Sequence, residues 1–109
     1  MTVNTQQIQI GITNYVETEL AKKATGFTKF AIYFMLPTIL DKVNSMLSTF
    51  KNNEFTNNFF DESGNIKIDD LYNSAKLAIS KSGQIVAYGI IFNESDIDKL
   101  YSYITNTTA

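Results

Sequence analysis

Carboxylates, phenols and amines are the reactive side chains this sequence offers. Its 109 residues hold eleven Asp and Glu, nine basic residues that are all Lys, and six Tyr, with no His, Cys, Trp or Arg. Without Cys there is no disulfide, no thiolate nucleophile and no zinc knuckle. Without His there is no imidazole base and no usual transition-metal ligand. Without Arg there is no planar fork to grip a phosphate or a guanine edge. What remains is oxygen chemistry: paired carboxylates, a lysine nucleophile, or a calcium or magnesium site.

The stretch from Asp61 to Asp70 is the first to weigh, because it resembles a calcium-binding loop. Such a loop needs oxygen ligands at positions 1, 3, 5 and 12 and Gly at 6. With Gly64 at position 6, Phe59 falls at position 1 and cannot ligate. With Asp61 at position 1, Ile66 stands where Gly is required and Tyr72 takes position 12. Neither register is competent, so the stretch reads as a Ser-Gly-Asn turn. The acid pairs Asp61/Glu62, Asp69/Asp70 and Asp96/Asp98 all fall at turns or helix starts, where capping accounts for them. No Lys is singled out as a nucleophile. Gly64, Gly83 and Gly89 are isolated, so no loop cradles a phosphate. The residues left as candidates form an interface set: Tyr72, Tyr101 and Tyr103 with Asp96 and Asp98. Tyr suits interfaces because its ring can be buried while its hydroxyl stays wet.

These candidates must be positioned by surrounding elements. Ile8, Ile12, Val16, Leu20 and Ala24 recur every fourth residue, which predicts a helix over residues 5–24 with Gly11 as a weak point. Ile8, Ile10 and Ile12 also alternate with polar residues, so helix and strand stay open for residues 5–13. A second helix is expected over 27–51, apolar almost all round between 27 and 40, which reads as a central buried element in preference to the other reading, a partner-binding face. Pro37 should kink or break it, since proline cannot donate to the carbonyl of Tyr33. Residues 51–65 form a polar, Asn-rich linker that Phe55, Phe59 and Phe60 would pin to the core, in preference to forming an exposed aromatic patch. Two strand–helix units follow: strand 65–68 with helix 69–81, and strand 85–92 with helix 95–104, with Gly89 marking a bend or bulge. Residues 105–109 should fray. The class is α+β: two N-terminal helices packed on a small sheet, with two short C-terminal helices, all within a single domain over 1–109. Residues 5–51 would make its helical half and 65–104 its strand-helix-strand-helix half.

The C-terminal half repeats itself. Ile68-Asp69-Asp70-Leu71-Tyr72 and Ile97-Asp98-Lys99-Leu100-Tyr101 share the pattern Ile-Asp-x-Leu-Tyr. Two copies are too few for a solenoid, and convergence on a capped helix start explains them equally well. The segments 60–72 and 89–101, read together, resemble small phage and prophage proteins of low-GC Gram-positive bacteria. The resemblance covers about residues 60–104. It implies a viral or mobile-element setting and carries over no catalytic or binding residue.

Net charge is −2, with residues 1–54 at +1 and 55–109 at −3. No basic stripe offers itself to nucleic acid. The apolar run Phe30–Leu40 is about half of what a bilayer requires. The N-terminus carries no signal-peptide pattern, so a cytoplasmic protein is expected, in a host cell or a virion. No catalysis, cofactor, metal, membrane insertion or small-molecule substrate is expected. The expected activity is binding, to a protein partner or to itself. It would serve as an assembly or tail-region subunit, or alternatively as an inhibitor that grips a host defence protein through its acidic half.

Overall fold

The computed structural model describes residues 1–20, 22, 26–87 and 90–107, and the chain is α+β, with long helices and very short strands. In order come β1 (Thr2–Val3), α1 (Thr5–Tyr15), a π-helical segment (Val16–Leu20), α2 (Phe27–Lys51), a 3-10 turn (Asn57–Phe59), β2 (Ile66–Lys67), α3 (Ile68–Ser82), β3 (Ile85–Ala87), β4 (Ile90–Phe92) and α4 (Glu94–Thr105).

Asn4 starts α1 with a capping box. Its Oδ1 accepts the Gln7 N–H at 2.7 Å, and the Gln7 Oε1 accepts the Asn4 N–H at 2.9 Å. Residues 5–13 are thus helical, and the alternation of Ile8, Ile10 and Ile12 is incidental. The four-residue stripe is the one that is buried, through Ile8, Ile12, Val16 and Leu20. Four residues overshoot an α-helical turn by about 40°, so a strict four-residue stripe drifts round the helix. The wider π turn at Val16–Leu20 offsets that drift and keeps Leu20 on the core side. Residues 21, 23 and 24 of the expected span lie outside the described residues.

Gly11 is a crossing point and not a weak point. A Cβ there would stand 2.6 Å from Cα and 2.7 Å from Cγ1 of Ile104, so only Gly lets α1 and α4 approach this closely. In the stretch expected to fray, Thr105 is helical and the Thr107 carbonyl accepts a bond from the Gln7 side chain at 3.1 Å, while residues 108 and 109 lie outside the described residues.

Helix α2 runs unbroken for 25 residues through Pro37. No break and no second helix start is found at Pro37. The expectation of a central, fully buried helix over 27–40 is overturned. Ile32, Leu36, Ile39 and Leu40 face the core, but Tyr33 is 40% and Phe34 78% exposed. The side chains of Phe27 and Phe30 lie outside the description.

One small sheet was expected from 65–68 and 85–92, but the strands form two separate antiparallel pairs. β1 pairs with β2, setting Val3 opposite Ile66 and Thr2 opposite Lys67. Both Val3 and Ile66 are fully buried, so this two-residue ladder is held by its core face. The 85–92 stretch folds back on itself as β3–β4, with Val86 opposite Ile91. Tyr88 and Gly89 fall outside the described residues. In the linker, Phe59 and Phe60 are half-buried as expected, whereas Phe55 is 81% exposed. The core joins α1, the π segment, Leu47 of α2, β1, β2, Ile68 and Ile104.

Candidate functional site

Helices α3 and α4 carry the chemically capable side chains, and each begins with acids. Asp69 and Asp70 sit in the first turn of α3, and Glu94 and Asp96 in that of α4, where the helix dipole favours negative charge. Asn93 caps α4 with a second box. Its Oδ1 accepts the Asp96 N–H and the Asp96 Oδ2 accepts the Asn93 N–H, both at 3.0 Å. Asp96 is therefore buried as part of a helix cap.

The repeated pentapeptides meet. Tyr72 donates its hydroxyl to Asp98 at 2.5 Å, and Tyr101 donates its hydroxyl to Asp69. Exchanging one repeat for the other turns the first bond into the second, so the two copies are halves of one pseudo-twofold clasp. The two rings lie between the bonds, with centroids 4.3 Å apart and planes tilted by 32°. Lys76 closes one side, at 2.7 Å from Asp98 and 2.9 Å from Glu94, with its ammonium 5.4 Å from the centre of the Tyr72 ring. The Met1 amine sits 2.9 Å from Asp69 on the other.

The ionisation of these groups follows from the contacts. The Tyr101 hydroxyl, and then the Met1 amine, hold the Asp69 carboxyl below its usual range. Lys76, and then Tyr72, do the same for Asp98. The carboxylates in turn push the Tyr72 and Tyr101 phenols upward, and bonds to Asp98 and Glu94 raise Lys76. Each group is thereby held in its ordinary charge state at neutral pH.

Tyr103 points elsewhere. It packs edge-on against Tyr15, with ring centroids 6.0 Å apart, and donates to Glu19 of the π segment at 2.9 Å. Lys99 stands 3.7 Å from the same carboxylate. Burial, then the bond to Glu19, pushes the Tyr103 phenol upward. Burial, with Asp96 and Glu19 nearby, pushes Tyr15 further.

Behind the clasp lies an apolar cleft of about 500 Å³. Val43, Met46, Leu47 and Phe50 of α2 form one wall, Leu71 and Ala75 of α3 and Ile97 and Leu100 of α4 the others, with Ile8 and Ile12 of α1 also lining it. Tyr72 and Tyr101 complete the lining with their rings, their hydroxyls being bonded to Asp98 and Asp69.

Of the five residues singled out from sequence, Tyr72, Tyr101 and Asp98 come together, while Asp96 and Tyr103 lie at separate places. Asp69 was legible only as a helix-start acid, and Lys76, Glu19 and the cleft escaped the sequence reading. The repeated pentapeptide was the available signal for Asp69, since an Asp and a Tyr three residues apart share one helix face. Nothing local marks Lys76 or Glu19. At the calcium-like stretch, Asp61 turns its Oδ1 onto its own loop and accepts the N–H groups of Ser63 and Asn65, both at 2.9 Å. Gly64 takes φ +83° to close that turn. Among the described residues no three potential metal-ligating side chains cluster, and no helix is long and apolar enough to cross a membrane. No family model matches this chain, no curated protein matches it, and no solved structure matches its fold.

Proposed function

We propose that the protein is a non-enzymatic assembly module that works by packing against a second copy of itself, in keeping with the phage-like sequence pattern of residues 60–104. The observation that carries this reading is Phe34, which is 78% exposed in mid-helix on α2. Tyr33 and Pro37 are exposed beside it, while Ile32, Leu36 and Ile39 use the opposite face for the core. A helix apolar on both faces calls for cover on both. Burying a Phe side chain is worth about 1.5–3 kcal/mol, and a twofold contact buries two of them with one patch.

The β3–β4 hairpin adds support. Among the described residues its strands pair only with each other, and Ile91 is 57% exposed. A two-stranded ribbon is marginal by itself, and an apolar edge invites another strand. The absence of catalysis is supported by how the capable groups are used: Asp69, Asp98, Lys76, Tyr72 and Tyr101 are bonded to one another. The Tyr and acid residues first considered for an interface would then contribute by holding α3 and α4 in place.

The test is the native mass of the purified protein across a concentration series, with Phe34→Ser as the comparison. Concentration-dependent association that Phe34→Ser weakens supports the reading. A strict monomer that captures one host protein from lysate fits the inhibitor alternative instead.

A further inference from the structure

We propose that the cleft between α2, α3 and α4 binds a single unbranched hydrocarbon chain with an uncharged head group. The first argument is wall chemistry. The lining is aliphatic and aromatic carbon, and the hydroxyls of Tyr72 and Tyr101 are already donated to Asp98 and Asp69. Ser74 contributes the one other side-chain hydroxyl among the lining residues. A polar atom carried into such a site would lose water and find almost nothing in return. Sugars, nucleotides and extended peptides all carry such atoms along their length. A hydrocarbon chain carries none.

The second argument is shape. A hydrocarbon chain is thin and has no backbone polar groups to satisfy, so a cleft of about 500 Å³ holds it over a useful length. The size lies within the usual range for small-molecule sites. Phe50 and Phe59, with ring centroids 6.4 Å apart, both line the cleft on its α2 side.

The third argument is charge. The charged groups beside Tyr72 and Tyr101 are already paired with one another, Lys76 with Asp98 and Glu94, and the Met1 amine with Asp69. A charged head would find no counter-ion standing free among them, which favours a neutral head such as an alcohol.

The experiment uses the full chain with the neutral dye N-phenyl-1-naphthylamine, read by fluorescence and displaced by 1-decanol or by decanoate. We expect saturable dye binding, with decanol displacing it at roughly tenfold lower concentration than decanoate. Ala75→Phe should fill the cleft and weaken dye binding at least about tenfold while the far-ultraviolet circular dichroism stays native. Val43→Phe serves from the opposite wall if Ala75→Phe does not fold. Absence of saturable binding overturns the proposal, as does a folded filling variant that binds the dye unchanged. Displacement by decanoate as effective as by decanol overturns the assignment of the head group. Dye binding that falls as protein concentration rises would mean that a second copy fills the cleft, and also overturns it. None of these readouts depends on Phe34, so this proposal and self-association fail separately.

Discussion

Replacing Gly11 by Ala pits helix propensity against packing, and the structure decides the outcome. In the middle of an exposed helix the change would stabilise by about 1 kcal/mol. Here the new methyl would stand 2.6 Å from the Ile104 Cα and 2.7 Å from its Cγ1. The nearer atom is backbone, so no rotamer change relieves it, and α1 and α4 must separate at their crossing. Overpacking of this kind costs about 1–3 kcal/mol, and a backbone obstacle belongs at the upper end. The net loss is then about 1–2 kcal/mol, which lowers Tm by roughly 4–15 °C in a domain of this size. Thermal melts by circular dichroism, with urea melts for the free energy, give the number directly. Truncating Ile104 to Ala removes the Cγ1 clash but leaves the Cα clash, so the double variant Gly11→Ala/Ile104→Ala should recover only part of the coupling. A Gly11→Ala protein more stable than the parent by the propensity increment would refute the close crossing.

Three further outcomes are expected. Asn4→Ala removes the α1 capping box and should cost about 1 kcal/mol, read as a Tm lower by roughly 4–8 °C. Asp69 and Asp98 have carboxyls held below their ordinary value when folded. Their contribution is therefore complete above about pH 4 and is lost as pH falls through the folded values. A Lys76→Met/Tyr101→Phe protein should show a flatter fall of Tm with acid, and an unchanged acid limb would count against the clasp. Tyr72, Tyr101 and Tyr103 have raised phenols. Their contribution is present below about pH 10 and disappears at higher pH, so tyrosinate absorbance should lag behind free tyrosine in the native protein and catch up in urea.

The helices were legible in the sequence because each carries a local signature. The four-residue stripe from Ile8 to Leu20 and the capping residues around Asn93 identify elements without any knowledge of neighbours. What escaped was non-local. The strand at Thr2–Val3 exists only because Val3 meets Ile66, and two residues are too few to show a period. The split of 85–92 into two paired strands was legible only as the bend or bulge expected at Gly89, because a continuous apolar run shows no pairing partner. Gly11 read as a defect because its partner, Ile104, lies 93 positions away. The repeated pentapeptide was visible, but its meaning was not. Each Tyr–Asp pair looked like a helix start, and only the crossing of α3 and α4 brings each Tyr to the other copy's Asp. An outward face at Phe34 was the second choice for this helix, because an all-round apolar helix reads as buried until its neighbours are counted.

The claim that organises the functional account is that α2 presents an aromatic face to a second copy. Sedimentation velocity over a wide concentration range, on the parent protein and on Phe34→Ser, tests it most directly. The parent should shift from monomer to dimer or beyond as concentration rises, and Phe34→Ser should remain monomeric with an unchanged Tm at low concentration. A parent protein that stays monomeric throughout, or a variant that associates as the parent does, would contradict it.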